Sequence, residues 1–305
     1  AFVLPEAVLN VKAHMRIRTI LLQGSSVKYL TFLGDMFDGV QCPCILLQLV
    51  ATGKPLSTVG MRIEDRTRTF IIAMERTVVP ENFSFRMTDE EYRVLEKIKN
   101  SIPVCYLTDH ADFALGIVTG NNKKFLSAEK TEHSEMVLKG TDICKYHINP
   151  AKQYLRFEPE QFQQVAPLEI YRAPEKLLYR FISNQLVVAY DDRQMLSLNS
   201  CNIVIPKIEG MQIKYILAIL NSSVSQFVYQ KEFHSIKVLR AHMEHIPIPR
   251  VGKAIQNEII AMTEPLICGM GKEAAETCQK RLDCRIMDLF RLSAEEQWII
   301  RHALH

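Results

Sequence analysis

The residues best placed for chemistry are cations and amides in three short stretches. In Leu115-Gly116-Ile117-Val118-Thr119-Gly120-Asn121-Asn122-Lys123-Lys124-Phe125, a strand-like run meets a turn whose Gly120, Asn121 and Asn122 tolerate positive φ, and two lysines and an aromatic follow at once. Such a turn can press N–H and ammonium groups against phosphates, or set amide side chains against base edges. An ordinary surface hairpin has the same composition. The stretch 138–146 interleaves Lys139 and Lys145 with polar and aromatic groups. In 233–240, Ser235 is placed as the N-cap of a helix, gathering His234, Lys237, Arg240 and the positive end of the helix dipole where a phosphate can sit.

Other chemistries lack their residues. There is no G-x-x-x-x-G-K-[ST], no G-x-S-x-G, no H-E-x-x-H and no convincing D…E-x-K nuclease core. Gly269-Met270-Gly271-Lys272 comes nearest to a phosphate loop, but no strand precedes it and it lies within a helical tail. His242 and His245 share a helix face without a third ligand nearby, which reads as a solvated helix end. The eight cysteines form no C-x-x-C pair and no Cys–His set at zinc spacing, so they read as reduced thiols.

These stretches need a scaffold to hold them. Apolar spacing predicts a strand ending at Pro5, a helix over 6–23, then strands over 27–33 and 43–50, the far edge of an α/β sheet with an antiparallel end. Another possible strand covers 69–74. A charged helix follows over 89–99, with Thr88 as N-cap and Glu91 three residues on. From 106 to 249 short β runs dominate (114–118, 155–157, 186–190 and 203–205). They are interrupted by expected helices over 211–229 and 235–245, the second stopped by Ile246-Pro247-Ile248-Pro249. Residues 253–305 read as helical.

The chain has 305 residues, 37 Lys+Arg, 34 Asp+Glu and 48% hydrophobic residues, a balance that excludes disorder, collagen and a disulfide scaffold and leaves room for about two domains. Its longest apolar run, 44–50, falls far short of the roughly 20 residues of a membrane helix. The N-terminus lacks a signal peptide and starts in mid-pattern without Met, as the cut end of a longer chain would. Net charge is only +3, yet residues 110–250 hold 17 basic against 14 acidic residues and six of the nine histidines. A modest cationic face is therefore expected there.

Taken in order, several segments resemble the C-terminal part of TaqI-like N6-adenine DNA methyltransferases, including the fused type IIG restriction–modification proteins. These are G-I-V-T-G-N-N-K-K-F (116–125), K-G-T-D-I-C-K-Y (139–146), A-P-E-K-L-L-Y-R (173–180), L-N-S (220–222) and F-H-S-I-K-V-L-R…I-P-I-P (233–249). They resemble the family's target-recognition domain. F-V-L-P-E-A (2–7) and P-C-I-L-L-Q-L-V (43–50) resemble the end of its methyltransferase domain, and 282–297 its closing helices.

The resemblance implies a partial Rossmann-like methyltransferase sheet edge followed by an α+β target-recognition domain with a helical tail. Expected boundaries are 1–80 for the catalytic remnant, 81–105 for a linker, 106–250 for recognition and 251–305 for the closing helices. The family's Gly-rich S-adenosylmethionine loop and its N-P-P-[YF] tetrapeptide are absent here, so no catalytic, cofactor or metal residue carries over. S-adenosylmethionine, and Mg if DNA is also cut, would belong to the parent enzyme. Phe70, Phe83 and Phe85 lie where a base-stacking aromatic is expected, and none is assigned.

The expected partners are double-stranded DNA and either the missing N-terminal catalytic region or a separate methyltransferase subunit, in the cytoplasm and without a membrane. Lys123, Lys124, Lys139, Lys145, His234, Lys237 and Arg240 are expected at phosphates, and Asn121 and Asn122 at base edges. The alternatives are a stand-alone specificity subunit and a protein-interaction scaffold that binds no DNA.

Overall fold

The computed structural model describes every residue except Gln41, His234 and His305. The chain divides into two compact units, one of residues 1–95 with 231–233, the other containing the remaining described residues. The division at Leu95 falls inside the segment 81–105.

In the first unit, strand β1 (Phe2–Pro5) is followed by 3-10 turns, helix α1 (Met15–Gly24), and strands β2 (Ser25–Asp35), β3 (Pro43–Ala51), β4 (Arg62–Glu64) and β5 (Thr69–Ile71). The sheet order is β1-β3-β2-β4-β5. β3 lies antiparallel to both β1 and β2, β4 is parallel to β2, and β5 is antiparallel to β4. Val27, Leu30 and Phe32 from β2 and Ile45 and Leu47 from β3 enter one core with Met61, Ile63, Phe83 and Phe85.

The helix expected over 6–23 is instead two 3-10 turns, Glu6–Leu9 and Lys12–His14, before α1. Arg18, only 1% exposed, donates from Nη1 to Val8 O (2.7 Å) and Val11 O (3.0 Å), and its Nε reaches Pro80 O. Val8 O serves the buried guanidinium, and Val11 O is shared between it and His14 N (3.0 Å), so no continuous helix ladder forms. Burial pushes the Arg18 pKa below its usual value, with Glu81 opposing.

Helix α2 (Asp89–Asn100) starts as the sequence predicts. Thr88 Oγ1 accepts from Glu91 N (3.3 Å) and Glu91 Oε2 accepts from Thr88 N (2.9 Å), a reciprocal capping box.

The second unit is a set of small sheets wrapped by helices. After β6 (Val104–Cys105) and β7 (Ala111–Ala114) come α3 (Asn122–Phe125), β8 (Leu126–Ser127), β9 (Glu135–Leu138), β10 (Tyr154–Leu155) and α4 (Leu168–Tyr171). Then follow β11 (Lys176–Arg180), β12 (Val188–Asp191), β13 (Leu196–Ser197) and β14 (Cys201–Pro206). Strands β12-β11-β14-β7 form an antiparallel sheet, β13-β9-β10-β8 a second sheet, and β6 pairs with a late strand. Leu138, Ile143, Leu178, Ala189, Leu198 and Ile203 share one core.

Helices α5 (Ile213–Asn221), α6 (Ser223–Glu232) and α7 (Arg240–Glu244), strand β15 (Ile248–Pro249), and helices α8 (Lys253–Cys268), α9 (Lys272–Leu289) and α10 (Ala294–Ala303) complete the chain. The helix expected over 211–229 is broken at Ser222, whose Oγ donates to Ile219 O (2.7 Å) and accepts from Ser225 N (3.2 Å). Residues 215–221 of α5 are buried all round, as a helix apolar on every face must be. Gly269, at φ +79°, and Gly271 form the turn between α8 and α9. Among the described residues no helix is long and apolar enough to cross a membrane.

Candidate nucleic-acid interface

The turn at 116–125 is held from below and open above. Ile117 N donates to Ser197 O (2.7 Å), and a Cβ at Gly116 would run into Leu198 O, so only glycine fits this close approach. Gly120 takes φ +76°. Asn121 then caps the single turn of α3, its side chain accepting from Lys124 N (3.3 Å), while Thr119 Oγ1 donates to Asn122 Oδ1 (2.7 Å). Asn121, Asn122, Lys123 and Lys124 are all exposed, with Lys124 Nζ 4.7 Å from the Phe125 ring centroid.

The segment 139–146 is built differently. Lys139 N donates to Asp142 Oδ2 (2.8 Å), and a Cβ at Gly140 would run into Ser200 O. Arg180 crosses from β11 to Gly140 O (2.8 Å) and Ile143 O (2.7 Å). Lys145 Nζ donates to Asn221 O (3.2 Å), and burial pushes its pKa below the usual lysine value, with Asp283 opposing. In this arrangement the Lys145 ammonium serves the fold.

The helix expected from Ser235 is not there. Ser235 Oγ accepts from Lys237 N (3.1 Å) in a local turn, residue 182 bridges to Lys237, and helix α7 begins only at Arg240 and lasts five residues. The backbone around 236–238 is engaged with strand-like partners, Val238 N donating to Phe181 O (2.8 Å), which keeps it extended. No helix dipole therefore stands at Ser235. Lys237 is exposed, and His234 lies outside the described residues. Arg240 is exposed, paired with Glu244 (2.8 Å) and lying 5.1 Å over the Phe113 ring.

Two of the open grooves on this unit flank β6 and β7. One of about 600 Å³ runs along β7 and is lined by Phe113, Gly116, Gln164, Ile170 and Arg240 among others. The other, of about 500 Å³, is lined by residues that include Cys105, His110, Glu244, His245 and Arg250. Arg250 and His110 are exposed cationic or imidazole groups without a motif to single them out in the sequence, and His245, paired with His242 by spacing, is exposed as well. His242 was expected at a solvated helix end, but it is buried. Its Nδ1 accepts from Leu239 N (3.2 Å), and burial lowers its pKa to about 4.

The remaining family-like segments build the frame. Lys176 and Asp191 form a fully buried pair (2.6 Å); Lys176 also donates to Tyr171 O (2.6 Å), and Asp191 accepts from Arg193 N (2.9 Å) and Met195 N (3.0 Å). The Asn221 amide brackets the edge strand β12, accepting from Val188 N (3.0 Å) and donating to Val188 O (2.8 Å) as a neighbouring strand would. Asp283 of α9 caps α6 by accepting from Ser223 N (2.9 Å) and Ser223 Oγ (2.8 Å). In the first unit Phe83 and Phe85 are core residues 5.3 Å apart, which leaves neither free to stack on a base; Phe70 is only partly buried, with Arg68 over its ring.

Residues 135–248 match the TaqI-like C-terminal specificity domain. The type II methyltransferase M.VspI of Vibrio sp. (strain 343) is 29% identical over 156 residues, 47% of this chain and 35% of that enzyme. The chain thus spans about a third of the length of this curated relative. Among solved structures, the type IIL restriction–modification enzyme MmeI in complex with DNA superposes with a TM-score of 0.59 at 11% identity, covering 99% of this chain and 48% of MmeI. The ATP-dependent type ISP restriction–modification enzyme LlaBIII bound to DNA gives a TM-score of 0.50 at 8% identity, over 88% of this chain and 25% of that one. At such identities the structural likeness establishes the fold. Residues 135–248 are thus similar to a TaqI-like C-terminal specificity domain, and the fold of the chain is similar to that of MmeI.

Proposed function

We propose that this chain is the DNA target-recognition part of a site-specific adenine-N6 DNA methyltransferase of a restriction–modification system. The observation that carries this reading is the specificity-domain match over 135–248, in the same unit as the exposed Asn-Lys turn at 121–124. Residues 1–80 are then a catalytic-domain remnant, 81–105 a linker, 106–250 the recognition domain and 251–305 the closing helices. Lys123, Lys124, Lys237 and Arg240 position the phosphate backbone, and Asn121 and Asn122 face base edges. Lys139 and Lys145 are held closer to the frame and contribute less.

In the parent enzyme the recognition domain holds the duplex while the target adenine is extruded, because its amino group is out of reach within the stack. The family's Gly-rich S-adenosylmethionine loop and its N-P-P-[YF] tetrapeptide do not occur in these 305 residues. On this reading the cofactor, and Mg if DNA is also cut, are held by the parent enzyme's catalytic region. Its partners are double-stranded DNA and that catalytic region, whether fused or a separate subunit, in the cytoplasm.

Titration with duplex DNA at two salt concentrations tests this. Steep salt dependence is expected, flattened in Lys237→Ala together with weaker binding to every sequence. A protein without a salt-dependent affinity for DNA would instead be an interaction scaffold.

A further inference from the structure

We propose that Gln163 and Gln164 join Asn121 and Asn122 in a base-edge reading platform that sets part of the recognised sequence. The inference rests on the DNA-recognition reading above and names the side chains that would do the reading.

The two pairs of amides belong to segments about forty residues apart, and the fold fastens them together. Val118 and Gln164 exchange both backbone hydrogen bonds, Val118 N to Gln164 O (2.9 Å) and Gln164 N to Val118 O (3.1 Å). A Cβ at Gly120 would touch Gln163 Cβ at 3.4 Å and Oε1 at 3.6 Å, so the Gln163 side chain lies over the turn that presents the asparagines. Below, Phe125 from the first segment meets Phe162 from the second edge to face, 5.3 Å between centroids. Phe162 is buried and Phe125 packs on the same core. Both segments are therefore seated in one aromatic contact, with all four amides exposed above it.

The orientation of the amides gives the platform its chemistry. The Asn121 and Asn122 oxygens are engaged inward, by Lys124 N and Thr119 Oγ1, which leaves their N–H groups as outward donors. Donors suit N7 and O6 of guanine or N7 of adenine in the major groove. Among the described residues neither Gln163 nor Gln164 makes a side-chain hydrogen bond to the protein, so each offers a donor and an acceptor together. That pair matches N6 and N7 of adenine. Amides carry no charge, so this face discriminates between bases, while the adjoining Lys123 and Lys124 supply the salt-dependent attraction. Gln164 also lines the groove bordered by Arg240, the exposed cation assigned above to the phosphate backbone.

The experiment is selection from a pool of randomised duplexes by the full-length protein, the Gln163→Ala/Gln164→Ala variant and the Lys123→Ala/Lys124→Ala variant, with thermal melting to verify folding. The glutamine variant is expected to lose discrimination at one or two base pairs, by about 5- to 150-fold each, with its salt slope unchanged. The lysine variant is expected to keep the wild-type base preference and lose about 2 units of salt slope. Wild-type base preference retained in the folded glutamine variant would overturn the inference alone. A wild-type protein that selects no sequence would overturn the recognition reading, and the inference with it.

Discussion

In the segment 116–125, Lys123 and Lys124 stand in solvent above a turn whose glycine and asparagines keep it open; in 139–146, Lys139 and Lys145 sit beside a glycine pressed under Ser200 O and a tyrosine fully enclosed by the core. The two stretches have similar composition, each with two lysines, glycine, threonine and a closing aromatic. What separates them is what lies across from each. The first is anchored at Ile117 and Gly116 but meets Gln163 and Gln164 at its turn, whereas the second is crossed by Arg180 and receives the Asn221 carbonyl. Cation content alone therefore does not locate an anion-binding surface. A lysine contributes to such a surface only where no protein carbonyl or carboxylate takes its ammonium.

The contrast between inward and outward charge is open to direct attack. The largest effect is expected at the buried pair: Asp191→Ala should destabilise the chain by about 3–5 kcal/mol in chemical denaturation, because it strands the Lys176 ammonium without its partner. Adding Lys176→Met should recover part of that loss but not all, since Asp191 also holds two backbone amides. A wild-type melting curve for Asp191→Ala would mean that this interior is not organised around charge. Next, Gly140→Ala should cost about 1–3 kcal/mol, as the new methyl forces β11 and the loop at Ser200 apart. If it were tolerated without cost, the inward segment would be as loose as the outward one.

A smaller effect should depend on pH. His242 titrates near 6.5 when unfolded and near 4 in place, so below 6.5 the unfolded chain binds a proton that the folded chain refuses. Its contribution is intact above 6.5 and is lost progressively as pH falls toward 4. Comparing melting temperatures of the wild type and His242→Gln between pH 7 and 4 should show the flatter profile in the variant. The smallest change in stability, within about 0.5 kcal/mol, is expected for Lys123→Ala/Lys124→Ala. Lys145→Met should leave the salt slope of DNA binding unchanged, in contrast to the 123/124 pair. A reduced slope in Lys145→Met would erase the distinction between the two segments.

Much of the frame was legible in advance because it rests on local rules. The α2 capping box follows from Thr88 and Glu91 at their spacing, and β2 and β3 follow from apolar runs punctuated by a turn. The failures have a common cause. Arg18 breaks the first helix by taking carbonyls near in sequence together with others more than sixty residues away, and Ser222 divides the helix expected over 211–229 by capping a new one. The helix expected from Ser235 gave way to backbone pairing with 181–183. Each is a long-range or competing hydrogen bond that helical periodicity does not record.

For the site, the sequence by itself determined which residue types are available: the amides and lysines of 121–124, the ordered segments that resemble a specificity domain, and the absence of the family's cofactor and adenine-binding motifs from these 305 residues. Only the tertiary structure decided which of the lysines face outward, that Lys176 and Asp191 meet in the core, and that Gln163 lies against Gly120 while Gln164 pairs with Val118. The reason is physical. Composition and spacing fix what a side chain can donate or accept, but whether it is left free to do so depends on the partners that folding brings across from distant parts of the chain.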